Sequence, residues 1–194
     1  MFGTRAIEIA AALCGLANVV LIIRRSLWNY PFGFAMVTLY AWIFFDSKLY
    51  SDALLQIYFF IIQIFGVVWW LRGADGTGRV QARDLPARQA IAWALAAIGF
   101  TGALGFAMSQ RTDAALPYWD AGAAVLSVIA QTLMARRYLQ SWLVWILVDV
   151  LAIGIYLAKD LTPTAVLYAI FLGLAVQGWL SWRRNARIAQ VAPA

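Results

Sequence analysis

The architecture of this chain follows from residues 24–72, which read RRSLWNYPFGFAMVTLYAWIFFDSKLYSDALLQIYFFIIQIFGVVWWLR. A related pattern returns further along the chain without a gap: Arg24-Arg25-x-Leu27 recurs as Arg136-Arg137-x-Leu139, a difference in numbering of 136 − 24 = 112. We call two positions at this offset repeat partners. Phe59, Gly66 and Trp70 have identical repeat partners in Phe171, Gly178 and Trp182. Because repeated hydrophobic bundles are typical of secondary transporters, the pattern predicts two copies of a three-helix unit.

Composition places the chain in a membrane. Of its 194 residues 64% are hydrophobic and 12% are charged, and the mean hydropathy is +0.76. A soluble domain needs more polar surface than this. Since a helix needs about 20 apolar residues to cross a bilayer, the sequence predicts seven spans. They lie at about 6–23, 30–46, 51–71, 88–108, 118–135, 141–158 and 163–182.

The first span is predicted to be a retained helix rather than a signal peptide, because it contains Glu8 and ends in two arginines. Cys14 is the only cysteine, and the chain has no histidine. These counts exclude an intrachain disulfide, a cysteine metal cluster, an imidazole proton relay and a zinc site built on histidine. We expect neither a metal nor a cofactor.

The basic residues predict the orientation. If the loops alternate between the two sides, 11 basic residues lie on one side and four on the other. The first set is Arg24, Arg25, Arg72, Arg79, Arg83, Arg88, Arg136, Arg137, Arg183, Arg184 and Arg187, and the second is Arg5, Lys48, Arg111 and Lys159. The positive-inside rule then predicts an outside N-terminus and a cytoplasmic C-terminus. The net charge of +6 is explained by topology, without nucleic-acid binding.

The predicted fold class is an all-α membrane protein with seven transmembrane helices in a three-plus-one-plus-three arrangement. The first bundle covers 1–72, a cytoplasmic linker 73–87, a connecting transmembrane helix 88–108, the second bundle 109–184 and a cytoplasmic tail 185–194. The single extra helix gives both three-helix repeats the same membrane orientation, so we expect them to be related by an axis along the membrane normal.

Helical spacing of three and four places Trp142, Trp145, Asp149 and Tyr156 on one stripe of the sixth span. Asp at a helix centre costs about 2.5–3.5 kcal/mol on insertion scales, and the repeat partner of Asp149 is Val37. Asp149 is therefore interpreted either as a cation or hydroxyl site or as a hydrogen bond between helices. The acids near span ends are predicted to be structural (Glu8, Asp120) or solvated (Asp46, Asp52).

Three glutamines lie within apolar spans, Gln56, Gln63 and Gln131. Hydrocarbon cannot satisfy the donors and acceptors of their amides, so they should face a cavity or a partner helix. Aromatic residues beside them would suit a flat, partly polar solute. Most of the 10 Trp and eight Tyr, however, are expected to be interfacial and packing residues.

Two segments resemble the PnuC family of bacterial vitamin transporters, whose best-known members carry nicotinamide riboside. The first is WNYPFGFAMVTLYAWIFFDSKLYSDALLQIYFF from Trp28 to Phe60; the second is AQTLMARRYLQSWLVWILVDVLAIGIY from Ala130 to Tyr156, followed by AVLYAIFLGLAVQGWLSW from Ala165 to Trp182. The resemblance implies a fold related to SWEET sugar transporters, a homotrimer and facilitated diffusion across the bacterial inner membrane, with intracellular phosphorylation trapping the vitamin. One departure is Ser141, where the family commonly has Asn and where the repeat partner is Asn29.

Nicotinamide riboside has a pyridinium cation, an amide and ribose hydroxyls, and the candidate substrate-binding residues match these groups. The rings that could stack are Tyr40, Trp142, Trp145, Tyr156 and Tyr168; the amides are Asn29, Gln56 and Gln131; and Asp149 could compensate the charge. Thiamine, riboflavin and deoxynucleosides remain alternative substrates, and proton coupling through Asp149 is a further alternative. An intramembrane enzyme is the weakest hypothesis, because no catalytic residues are evident, and no GxxxxGK[ST] loop for ATP is present.

Overall fold

The computed structural model describes residues 2–48, 50–74, 79–112 and 115–191, with side chains for 6–48, 52–74, 79–112 and 115–186. The described chain forms seven α-helices: α1 (Phe2–Ile23), α2 (Asn29–Asp46), α3 (Tyr50–Leu71), α4 (Ala87–Arg111), α5 (Pro117–Ala135), α6 (Ser141–Ala158) and α7 (Thr162–Val191). Each of the seven predicted spans lies within one of these helices. The all-helical prediction is confirmed.

Some helices are longer than the predicted spans. The last helix, α7, has 30 residues and continues past the predicted end of its span at residue 182. At 1.5 Å per residue it is about 45 Å long, whereas the hydrocarbon core is about 30 Å thick. The predicted cytoplasmic tail therefore begins inside a helix. Residues 75–78 of the predicted linker and the side chains of Arg5 and Arg187 lie outside the described residues.

Five of the helices in the described part of the chain are long and apolar enough to cross a membrane. The candidate spanning segments are Ala6–Ile23, Asp52–Leu71, Ala87–Arg111, Ser141–Ala158 and Thr162–Ala186. The other two helices, α2 and α5, have 18 and 19 residues. The polar side chains within α5 include Asp120, Ser127, Gln131 and Thr132.

Four helix ends share an unusual backbone conformation. Among the described residues, those with positive φ that are not glycine are Arg25 (58°), Lys48 (59°), Arg137 (65°) and Asp160 (58°). Each lies two positions beyond the last residue of a helix, where a left-handed residue lets the chain turn and satisfy the last carbonyls. At α1, the Ser26 N–H donates to the Leu21 carbonyl (3.0 Å). The repeat partners make the same bond, from the Tyr138 N–H to the Leu133 carbonyl (2.9 Å).

The described chain divides into two compact units. The first is Met1–Gln81 together with Ala135–Arg137, and in it α2 packs against both α1 and α3. The middle of the predicted linker is tied to the α1–α2 turn through Val80, which is fully buried. Its N–H donates to the Arg25 carbonyl (3.1 Å), and Arg25 Nη1 donates to the Val80 carbonyl (3.2 Å).

The second unit is Ala82–Met134 together with Tyr138–Ala194, in which α6 packs against α7. Its hydrophobic core contains Ile129, Leu133 and Tyr138, and Trp93 of α4 packs against this cluster. The linker is again joined by a main-chain hydrogen bond, in which the Leu139 N–H donates to the carbonyl of residue 83 (2.8 Å). Thus α4 contributes to the core of this unit through its first half.

Candidate functional site

An aromatic pair anchors the α2–α3 contact in the first unit. The rings of Tyr30 and Trp70 meet edge to face, with centroids 5.6 Å apart and an interplanar angle of 85°. Gly66 makes this approach possible, because a β-carbon there would lie 2.8 Å from the Tyr30 hydroxyl oxygen. Trp70 is 1% exposed. The pair therefore belongs to the packing of the helices.

The equivalent pair in the second unit is Trp142 and Trp182, with centroids 5.7 Å apart and an angle of 84°. A β-carbon at Gly178 would lie 2.6 Å from three carbons of the Trp142 ring. Trp142, a candidate stacking residue, is 2% exposed, so its ring is engaged by its neighbours. Its buried indole Nε1 has no hydrogen-bond partner among the described residues. The ring of Trp142 is therefore occupied by packing against Gly178 and Trp182, and its stacking role stays a prediction.

The other candidate residues of α6 lie on the same helix face as Trp142. Trp145 and Tyr156 are half-buried, whereas Asp149 is 4% exposed. Within the described part of the chain, the Asp149 carboxylate makes no hydrogen bond or ion pair. An uncompensated carboxylate inside a membrane helix is costly and usually functional. This residue is the strongest chemical signal of the site.

The structure brings two of the predicted stacking residues together. The rings of Tyr156 on α6 and Tyr168 on α7 lie 5.2 Å apart at an angle of 35°. Tyr168 also meets Phe171 edge to face, at 6.1 Å and 77°. The three rings form an aromatic cluster within the second unit, and Tyr156 lies about two helical turns beyond Asp149 along α6.

The polar residues at the starts of α2 and α6 have a shared role. Asn29 Nδ2 donates to the Ser26 carbonyl (2.7 Å), and Ser141 Oγ donates to the Tyr138 carbonyl (2.7 Å). Both side chains are buried, at 3% and 0% exposure. Ser141 therefore retains the local hydrogen bond that its repeat partner Asn29 makes. The departure from the family pattern leaves this helix start intact.

The remaining candidates are Tyr40, Gln56 and Gln131, and each has different surroundings within its own unit. Tyr40 on α2 is half-buried and stacks on Phe44, with centroids 5.6 Å apart and an angle of 20°. Gln56 on α3 has a buried Oε1 with no partner among the described residues. Gln131 on α5 is half-buried. Ser127 lies one helical turn before it, and the Ser127 hydroxyl donates to the Ala123 carbonyl of the same helix (2.8 Å).

Sequence reasoning did not single out Asn18, which the structure places close to Gln63. Asn18 and Gln63 are 8% and 4% exposed, and both approach Gly33. Asn18 Nδ2 donates to the Asn29 carbonyl (2.8 Å). The available signal was an amide within the apolar run of the first span, the same signal that singled out the glutamines.

Of the acidic residues predicted to lie near the span ends, Asp120 forms an ion pair and three others are exposed to solvent. Lys159 Nζ donates to both carboxylate oxygens of Asp120, at 2.9 and 3.0 Å, and so joins the end of α6 to the start of α5. Glu8, Asp46 and Asp52 are exposed. No group of three or more acidic or cysteine residues that could hold a metal is found within the described residues.

Comparison with known proteins identifies the family. A family model described as nicotinamide mononucleotide transporter matches residues 5–184. The chain belongs to this family. It is a multi-pass membrane transporter rather than an enzyme.

Several relatives support the same assignment. The nicotinamide riboside transporter PnuC of Escherichia coli (strain K12) is 29% identical over 93% of this chain and 86% of that protein. The riboflavin/roseoflavin transporter RibM of Streptomyces davaonensis is 28% identical over 96% of this chain and 91% of that protein. The crystal structure of the vitamin B3 transporter PnuC superposes with a TM-score of 0.76 at 26% identity, covering 93% of this chain and 82% of that one.

Proposed function

We propose that this protein carries nicotinamide riboside across the bacterial inner membrane by facilitated diffusion, and that phosphorylation inside the cell traps the vitamin. The observation that carries the proposal is the buried Asp149 carboxylate, which has no partner among the described residues and shares a helix face with Trp145 and Tyr156. A pyridinium cation supplies the missing positive charge, and aromatic rings stack on its flat face. Relatives named as nicotinamide riboside transporters support the same substrate.

The architecture we propose is seven spans in a three-plus-one-plus-three arrangement with two parallel three-helix repeats. Support comes from details that recur at repeat partners. They include the left-handed residues Arg25 and Arg137, the bonds of Asn29 and Ser141 and the edge-to-face ring pairs. We further propose a homotrimer with an outside N-terminus and a cytoplasmic C-terminus. Native mass spectrometry tests the first point, and cysteine labelling of the two termini in intact cells tests the second.

The substrate is tested by calorimetry on purified protein with nicotinamide riboside, thiamine, riboflavin and a deoxynucleoside. Nicotinamide riboside should bind most tightly. Asp149→Asn removes the charge with little change in shape, so it should weaken binding of the cationic riboside about tenfold or more and leave neutral riboflavin unaffected. Asp46→Asn, the same change at an exposed acid, is the matched control and should alter neither affinity. Unchanged riboside affinity in both Asp149→Asn and Gln131→Ala refutes the proposed roles.

Riboflavin is the second candidate substrate, because RibM aligns with nearly the whole chain. The calorimetric panel separates the two, since a preference for riboflavin over the riboside contradicts our proposal.

The transport mode is tested in proteoliposomes. Facilitated diffusion predicts that uptake stops at equal internal and external concentrations and is indifferent to a pH gradient. Accumulation driven by a proton gradient, abolished in Asp149→Asn, would instead establish proton coupling through this carboxylate.

A further inference from the structure

Two side-chain amides converge on a glycine inside the first unit. Gly33 on α2 is buried, and a β-carbon there would lie 2.7 Å from Asn18 Nδ2 of α1 and 3.2 Å from Gln63 Cδ of α3. It would lie closer still to Gln63 Oε1. The absence of a side chain at Gly33 thus leaves the space into which both amide heads reach.

The two amides differ in what they bind. Asn18 Nδ2 donates to the Asn29 carbonyl (2.8 Å), which ties α1 to the start of α2. Gln63 is 4% exposed, yet its amide makes no hydrogen bond to any described residue. A buried amide without partners is unfavourable in a helix bundle. Gln63 therefore has both a donor and an acceptor available beside Gly33.

The corresponding positions in the second unit carry no amide. The repeat partners of Asn18 and Gln63 are Ala130 and Ala175, which are 0% and 3% exposed, and the repeat partner of Gly33 is Trp145. Small side chains replace the amides, and a large ring replaces the glycine. A three-helix unit of this kind can therefore pack with apolar side chains here, so the amides of the first unit are not required by the fold.

We propose that Gln63, held beside Gly33 and next to Asn18, is a hydrogen-bonding subsite for a primary carboxamide on the transported solute. The inference rests on the proposed function and deepens it. A glutamine amide presents an NH2 donor and a carbonyl acceptor, so it pairs reciprocally with a carboxamide. A carboxylate only accepts hydrogen bonds, and it leaves the Gln63 carbonyl unpaired. The subsite therefore selects the amide over the acid.

The test compares two ligands by calorimetry: nicotinamide riboside and the riboside that has a carboxylate in place of the carboxamide. Gln63→Leu removes the polar head at nearly constant volume. It should weaken nicotinamide riboside binding about tenfold and the acid analogue by less than about threefold. Gln177→Leu, the same change at an exposed position of α7, is the matched control and should leave both affinities unchanged.

Gly33→Ala provides a second variant that should fold. The atoms its methyl group would meet are the ends of two flexible side chains, which can rotate away, and alanine favours the helix over glycine by up to about 1 kcal/mol. The methyl group displaces the Gln63 amide, so the preference for the carboxamide should fall here as well. Melting temperatures of all variants confirm that they are folded.

Two outcomes overturn the subsite while leaving the function standing: unchanged riboside affinity in both Gln63→Leu and Gly33→Ala, or an equal loss for the two ligands. A wild-type protein that binds neither riboside refutes the proposed function and the subsite together.

Discussion

Gly178→Ala tests the ring packing of the second unit most directly. The added methyl group would lie 2.6 Å from three carbons of the Trp142 ring, whereas an ordinary van der Waals contact begins near 3.4 Å. The ring is 2% exposed and is held edge to face by Trp182, which is fully buried. It cannot rotate away as a flexible chain end can. Either the ring or the α6–α7 contact must shift.

The expected change in the free energy of unfolding of Gly178→Ala follows from two opposing effects. Overpacking of a well-packed core costs about 1–3 kcal/mol, and replacing glycine by alanine in a helix stabilises it by up to about 1 kcal/mol. Gly173 lies on the same helix, and a β-carbon there meets nothing within 4 Å. Gly173→Ala therefore isolates the helix effect. The difference in stability between the two variants, about 1–3 kcal/mol, is the cost of the ring contact.

The assay is thermal unfolding of the purified variants in detergent. For a chain of this size, 1 kcal/mol corresponds to a Tm shift of about 2–4 °C. Gly178→Ala should melt below Gly173→Ala by roughly 2–12 °C. Gly66→Ala should fall between them, because its nearest contact is the Tyr30 hydroxyl at 2.8 Å. A Gly178→Ala protein that melts at or above Gly173→Ala refutes the argument that Trp142 is rigidly packed.

Three smaller perturbations follow from other contacts. A double-mutant cycle of Asp120→Asn with Lys159→Gln should give a coupling free energy below about 1 kcal/mol, because this ion pair is half-exposed. A larger coupling that salt does not reduce would contradict the surface character of the pair. Ser141→Ala removes the 2.7 Å bond to the Tyr138 carbonyl and should lower the free energy of unfolding by about 0.5–1.5 kcal/mol. An unchanged Tm would show that this bond contributes nothing to stability. Val80→Ala should lower the free energy of unfolding by about 1–3 kcal/mol and speed tryptic cleavage of the linker, because the Val80 side chain is fully buried. Equal cleavage rates in the variant and the wild type would count against that burial.

Helix positions could be predicted from the sequence because they depend on local composition. All seven predicted spans lie within helices, since a bilayer requires about 20 apolar residues per crossing and the backbone must satisfy its own hydrogen bonds. Helix ends were less predictable. The end of α7 lies beyond its apolar run, because a helix can continue into water where charged residues such as Arg183 and Arg184 are solvated.

The sequence was enough to pick out the candidate site residues by their residue type, but it was a poorer guide to the role of each one. Asp149 and the glutamines stand out because hydrocarbon does not satisfy polar groups. The same reasoning could not tell that Trp142 is wedged between Gly178 and Trp182. Whether a ring offers its face to a ligand depends on the residues of another helix.

The sequence alone determined the class of protein, the seven helices, the offset between repeat partners and the polar residues that a membrane makes expensive, because these follow from composition and from local periodicity. Tertiary structure alone decided which side chains meet. Asn18, Gly33 and Gln63 come from three different helices, and their approach depends on how each helix is rotated about its axis and how closely glycine lets the backbones pack. Rotation and spacing are set by the packing of all the helices in a unit together.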